Sequence, residues 1–153
     1  MHKTYETYMK ECLKLATSAS DAGEVPVGAI VVRDDEIIAK ARNAQIGDCD
    51  PTAHAEVSAL RAASLATGNY RLPGCTLYST VEPCLMCAGA MLHARVERVV
   101  YGASEPRAGA ASGRVNYFME MAHLHKLEVV GGVREEECRD LMQKFFKDRR
   151  NKR

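Results

Sequence analysis

Leu77-Tyr78-Ser79-Thr80-Val81-Glu82-Pro83-Cys84-Leu85-Met86-Cys87, residues 77–87, carries the change of period on which the fold turns. Leu77 to Val81 reads as a β-strand. Pro83 then predicts the opening of a helix, because the first helical position needs no N–H. That helix runs to about Ala94, and Val96 to Tyr101 reads as the next strand. A strand, a helix and a second strand in this order point to an α/β domain.

Working back toward the N-terminus, Thr52 is expected to cap a helix running to about Thr67, with Glu56 in its first turns. Asn43 to Pro51 is dense in turn residues and reads as a loop. Val27 to Val32 and Ile37 to Ala41 flank Asp34-Asp35, so Val27–Ala41 predicts a β-hairpin. From Tyr5 to Asp21, Tyr8, Cys12, Leu15, Ala16 and Ala19 recur at helical spacing, and Gly23 ends that helix. Toward the C-terminus, Ala103 to Gly113 is a loop of small residues and Val115 to Ala122 reads as helical. Leu127 to Val133 is a fifth strand. Glu135 to Arg149 is a terminal helix with Cys138, Leu141, Met142, Phe145 and Phe146 on its apolar face. The order predicts one domain over residues 1–153, a three-layer α/β/α sandwich around a central mixed five-stranded sheet.

Composition fits this: 153 residues, 46% apolar and 27% charged, as in a soluble globular protein. A net charge of +1 makes no overall demand for nucleic acid, although a local basic patch suffices for binding one. No apolar run approaches the roughly 20 residues that span a bilayer, so no membrane is expected. Met1 to Lys14 carries charges throughout and has no signal-peptide core, so the expected compartment is cytoplasmic. Disulfides are then not expected among Cys12, Cys49, Cys75, Cys84, Cys87 and Cys138.

The chemistry lies in two short segments. Pro51-Thr52-Ala53-His54-Ala55-Glu56 contains H-x-E, and Cys84, thirty positions after His54, opens a C-x-x-C pair with Cys87. On a helix, residues three apart share a face, and a helix start favours thiolates. Two facing helix starts could place one nitrogen and two sulfurs around one ion. Three protein ligands leave a fourth position open, the mark of a catalytic rather than a structural zinc site. Zinc there brings the pKa of a bound water to about 7. Glu56, two residues from His54, is near the metal without being placed to bind it, and can carry protons. Alone, C-x-x-C could be a redox pair or half a structural site, and H-x-E is close to noise. A structural site needs a fourth ligand, and none of Cys49, Cys75, His93, His123 or His125 has ligand spacing to the pair. His93 reads as facing solvent or capping its helix end.

H-x-E followed by P-C-x-x-C is the signature of the zinc-dependent cytidine and nucleotide deaminase superfamily. Glu24 to Ala29, Asp50 to Glu56, Asn69 to Leu72, Glu82 to Met91, Gly109 to Ala111 and Phe145-Phe146 followed by Arg149-Arg150 together resemble its bacterial tRNA-specific adenosine deaminases. The resemblance covers most of the chain. It implies a cytidine deaminase-like fold, one Zn2+ per subunit on His54, Cys84 and Cys87, and Glu56 as the catalytic acid–base. It implies adenosine-to-inosine conversion at the wobble position of a tRNA anticodon stem-loop, that of an arginine tRNA, by a homodimer. It also implies that Asn43 bonds the extruded base, that Val27 and Val81 wall its pocket, and that the backbone around Ala55 and Cys84 orients base and water. The loop after Gly102 would meet the substrate strand. There the family usually has an aspartate, and this chain has Glu105 followed by Pro106.

Other roles remain open. Asn43 could serve a turn, and Val27 and Val81 are core strand residues on any account. Lys144, Lys147, Arg149, Arg150, Lys152 and Arg153 could be a solvated helix end. Interleaved with Phe145 and Phe146, they could instead bind phosphates and stack a base, with Phe146 the more exposed ring. The homodimer is expected to use the helix beginning at Pro83, through residues such as Ala88, Ala90, Met91 and Leu92. The competing functions are a deaminase of a free base or nucleotide, and a non-catalytic zinc-stabilised RNA-binding module. The first predicts activity on a free base and none on a stem-loop. The second predicts that Glu56→Gln changes nothing.

Overall fold

In the computed structural model, residues 4–112 and 115–152 are described. Gly113, where the predicted loop ends, Arg153 of the basic tail and the start of the N-terminal stretch lie outside the described residues. The chain opens with α1 (Tyr5–Asp21), whose N-cap Thr4 accepts the Thr7 N–H. β1 (Gly28–Arg33) and β2 (Glu36–Arg42) form the expected hairpin. Its turn residues Asp34 and Asp35 both have positive φ, 51° and 62°, as a two-residue hairpin turn requires. Then come α2 (Ala55–Thr67), β3 (Thr76–Val81), α3 (Leu85–Ala94), β4 (Arg98–Ala103), α4 (Tyr117–Glu120), β5 (Glu128–Val130) and α5 (Glu135–Asn151).

The sheet has the order β2-β1-β3-β4-β5. β1 runs antiparallel to β2 and β3, while β3, β4 and β5 are mutually parallel. Successive strand residues serve opposite faces. Ala29, Val31, Leu77, Val99 and Tyr101 pack into the core that holds the buried residues of α2 and α3. Ile30, Val32, Tyr78 and Val100 pack into the core of α1 and α5. The result is the expected three-layer sandwich. Met9, Ile30, Leu77, Met91 and Val99 are fully buried, each contributing about 1.5–3 kcal/mol relative to exposure. α1 crosses the sheet so closely that a Cβ on Gly28 would stand 2.2 Å from the Cys12 carbonyl oxygen. Only glycine fits there.

Several boundaries differ from the sequence pattern. β4 begins two residues later than expected, β5 keeps only Glu128–Val130, and α4 is a single turn with Phe118 buried. Two helix starts move, and both moves serve the site. Thr52 does not cap α2, because its N–H and hydroxyl both donate to Asp50. His54 is the N-cap, with extended backbone and no side-chain capping bond. Pro83 does not open α3 either: Cys84, also extended, is the N-cap.

Candidate metal centre and substrate groove

The starts of α2 and α3 face one another. His54, released from capping, points Nδ1 at the Cys84 sulfur (3.6 Å) and the Cys87 sulfur (3.4 Å). In its place Asn43, just past β2, accepts the Ala55 N–H at 2.8 Å and so caps α2 from outside the helix. The donor set fits zinc. Bond lengths of about 2.3 Å to sulfur and 2.05 Å to nitrogen, at tetrahedral angles, set nitrogen and sulfur about 3.6 Å apart. Among the described residues, no other His, Cys, Asp or Glu joins this cluster.

The three donors shift one another's protonation. The hydrogen bond from Cys87, then that with His54, brings the Cys84 thiol down to about 4 against the cost of partial burial. The bond with Cys84, followed by burial, pushes Cys87 up. The bond to Cys84 also raises His54. Glu56, second residue of α2 and 4% exposed, is raised to about 7, chiefly by burial. Such a group can both take up and release a proton near neutrality.

His54, Glu56 and Cys84 lie on the floor of a cavity of about 440 Å³. Val27, Asn43, Val81, Glu82 and Glu105 also line it. Ala55 is fully buried behind Asn43, so its N–H is spent on Asn43. Because the Asn43 oxygen is occupied, its NH2 is what can face a substrate. Glu105 accepts the Arg107 N–H through Oε1, leaving Oε2. Gln45, Arg107 and Ala108 also line the cavity and carried no sequence signal.

Past Val81, Glu105 and Arg107 the cavity adjoins a groove of about 850 Å³ along α5. Arg107, Arg139, Lys147 and Arg150 outnumber Glu105 and Glu135 along it, with Phe146 among them. Phe145 is buried at 7% and Phe146 is 38% exposed, as the tail pattern suggests. Arg150 lines this groove, whereas Arg149 lies 5.3 Å over the Phe145 ring and lines a separate space of about 620 Å³ with Phe146, Arg150 and Lys152. Arg139 was missed in the sequence, although its helical spacing to Gln143, Phe146 and Arg150 places it on their face.

The family model for the cytidine and deoxycytidylate deaminase zinc-binding region matches residues 2–103. The chain belongs to this deaminase family. It is a zinc enzyme, one ion per subunit, with His54, Cys84 and Cys87 as the fitting donors. It is similar, at 46% identity over 97% of this chain and 92% of the relative, to a tRNA-specific adenosine deaminase of Bacillus subtilis. It is also similar to a solved structure from a study of A-to-I editing by tRNA:A34 deaminases at the wobble position. Identity there is 41%, the TM-score is 0.85, and 88% of this chain and 98% of the other are covered. A Bacillus subtilis guanine deaminase structure shares 40% identity at a TM-score of 0.65, over 77% of this chain and 75% of that one.

Proposed function

We propose that this deaminase hydrolyses adenosine to inosine at the wobble position of a tRNA anticodon, that of an arginine tRNA, as a cytoplasmic homodimer. The observation that carries the reading is the adjacency of two spaces: the cavity over His54, Cys84 and Glu56 shares Val81, Glu105 and Arg107 with a groove that also holds Arg139, Lys147, Arg150 and Phe146. A deaminase of a free base has no use for that groove. The tRNA-specific relative and the wobble-position structure support the same substrate.

Zinc on His54, Cys84 and Cys87 supplies a Lewis acid that favours hydroxide at neutral pH. Glu56 takes the proton of the attacking water and returns it to the ring nitrogen. It then carries a second proton to the amino group, which leaves as ammonia. Asn43 donates its NH2 to a ring acceptor of the base, while Val27 and Val81 sandwich it. The adenosine enters by leaving its stack, which is cheapest for a loop nucleotide. Arg150 and its cationic neighbours hold phosphates, and Phe146 offers a ring for stacking.

For the homodimer, Ala90 alone of the four residues singled out in the sequence stays partly exposed. Ala88, Met91 and Leu92 are buried within the chain's own core. Leu85, Met86 and His93 remain exposed on α3, and Ala90 and His93 share a shallow hollow with Leu65 (85% exposed) and Tyr70 (75% exposed). An apolar face of this kind suits a second subunit. Light scattering at micromolar concentration is expected to give a dimer, and a monomer contradicts it.

Incubation with an anticodon stem-loop of an arginine tRNA, read by sequencing, tests the function. Inosine at the wobble position is expected. Activity on free guanine or cytosine and none on the stem-loop overturns the substrate assignment.

A further inference from the structure

Glu82 is a carboxylate in a place where an isolated charge is costly: it is 3% exposed, directly after the apolar strand β3. Its oxygens are met by backbone donors of one loop. Oε1 accepts the Glu105 N–H at 3.0 Å, and Oε2 accepts the Ala111 and Ser112 N–H groups, each at 3.0 Å. Bonds from N–H to a carboxylate are shorter and stronger than neutral ones. The loop comes so near that a Cβ on Gly109 would lie 2.4 Å from both Cδ and Oε2 of Glu82. The same loop pairs with the metal-binding segment: Ala110 N–H donates to the Pro83 carbonyl at 2.9 Å, and Gly109 bridges to Cys84.

Residues 104–112 are otherwise anchored at their far end, where Ala110 and Ala111 enter the core and Ser112 Oγ meets the Tyr101 hydroxyl at 2.9 Å. They contain no helix or strand, and Ser104, Pro106, Arg107 and Ala108 are exposed. Yet Glu105, Arg107 and Ala108 line the cavity, and Glu105, Pro106 and Arg107 line the groove. We propose that Glu82 is a positioning residue for the substrate. Its buried carboxylate gathers the loop's N–H groups and so sets where Glu105 and Arg107 stand, at the junction of base pocket and groove. Although Glu82 belongs to the cavity lining, both of its oxygens are taken by these loop N–H groups. Its effect passes through the loop, so it governs how RNA is held more than how fast the bound base reacts.

Glu82→Gln keeps the side chain's size but replaces one acceptor oxygen with an NH2 that faces an N–H donor. The variant should retain one zinc per chain and the parent's circular dichroism. By NMR in the RNA-free protein, amide exchange at Ala111 and Ser112 should quicken by about tenfold or more. The stem-loop KM should rise about tenfold, with kcat within about threefold of the parent. The kinetic arm rests on the proposed RNA substrate; the exchange arm does not. If the parent leaves the stem-loop untouched, the substrate assignment fails and amide exchange alone decides the latch. Gly109→Ala approaches from the loop side, pressing it off an intact carboxylate, and should raise KM in the same way. Unchanged exchange in Glu82→Gln overturns the proposal. So does loss of zinc or fold in that variant, which would make Glu82 a support of the metal segment. Unchanged KM in folded Gly109→Ala does the same, as does a fall in kcat at constant KM in either variant.

Discussion

The floor of the cavity and the groove beside α5 are built in opposite ways. On the floor, His54, Glu56, Cys84 and Cys87 are fixed by two helix starts and an outside cap from Asn43, with Glu56 and Cys87 buried and His54 and Cys84 half-buried. In the groove, Arg107, Arg139, Phe146 and Arg150 come from a loop without regular structure and from one face of a terminal helix, and most are exposed. The difference matches two tasks. Proton transfer needs atoms held within a fraction of an ångström, whereas phosphate recognition tolerates long side chains in water. Variants on the floor should therefore abolish rate or metal, and variants in the groove should change affinity.

The largest expected effect is that of Cys87→Ala. Removing one of three donors should release the zinc and, because metal binding is coupled to folding, much of the folded protein. Full zinc occupancy by metal analysis would break the ligand assignment. Next is Glu56→Ala, which should keep fold and zinc while turnover on the stem-loop falls by about 10²–10⁴-fold. A near-normal rate would remove Glu56 from the proton path. Asn43→Ala should slow turnover more than it weakens binding. Because the Asn43 oxygen caps α2, it should also lower stability by about 1 kcal/mol, read in a urea melt. A slowed enzyme of unchanged stability would mean that the cap contributes nothing.

The smallest effects sharpen the comparison most. Arg150→Ala should weaken stem-loop binding and reduce the salt slope by about one. Arg149→Ala should do less, since that guanidinium sits over Phe145 rather than in the groove. Equal losses from the two would show that the RNA follows a path other than this groove.

The floor was legible in the sequence and the groove was only half so, for a physical reason. H-x-E and C-x-x-C are each local patterns at a helix start, and the resemblance to a known family signature joined the two across thirty residues. α1 and the Asp34-Asp35 hairpin were legible for the same reason, since period and turn chemistry are local. What escaped depends on partners distant in the chain. Thr52 looks like a cap, but Asp50 takes its donors and Asn43 supplies the cap instead. Glu82 finds its donors at Glu105, Ala111 and Ser112. Glu24, also buried, likewise accepts the Ile46 and Gly47 N–H groups of the loop beyond Asn43. A carboxylate next to an apolar strand was the only local sign of either. On α3 the small and apolar residues were visible, but burial within the chain's own core decides which of them remain to meet a partner.

The division between floor and groove is tested most directly by single-turnover deamination of the stem-loop, with its Kd, for the parent, Glu56→Ala and Arg150→Ala. The account predicts that Glu56→Ala binds like the parent and reacts at least about 10²-fold more slowly. Arg150→Ala should bind more weakly yet react at the parent's rate once saturated. Glu56→Ala that fails to bind, or Arg150→Ala that stays slow at saturation, would contradict it.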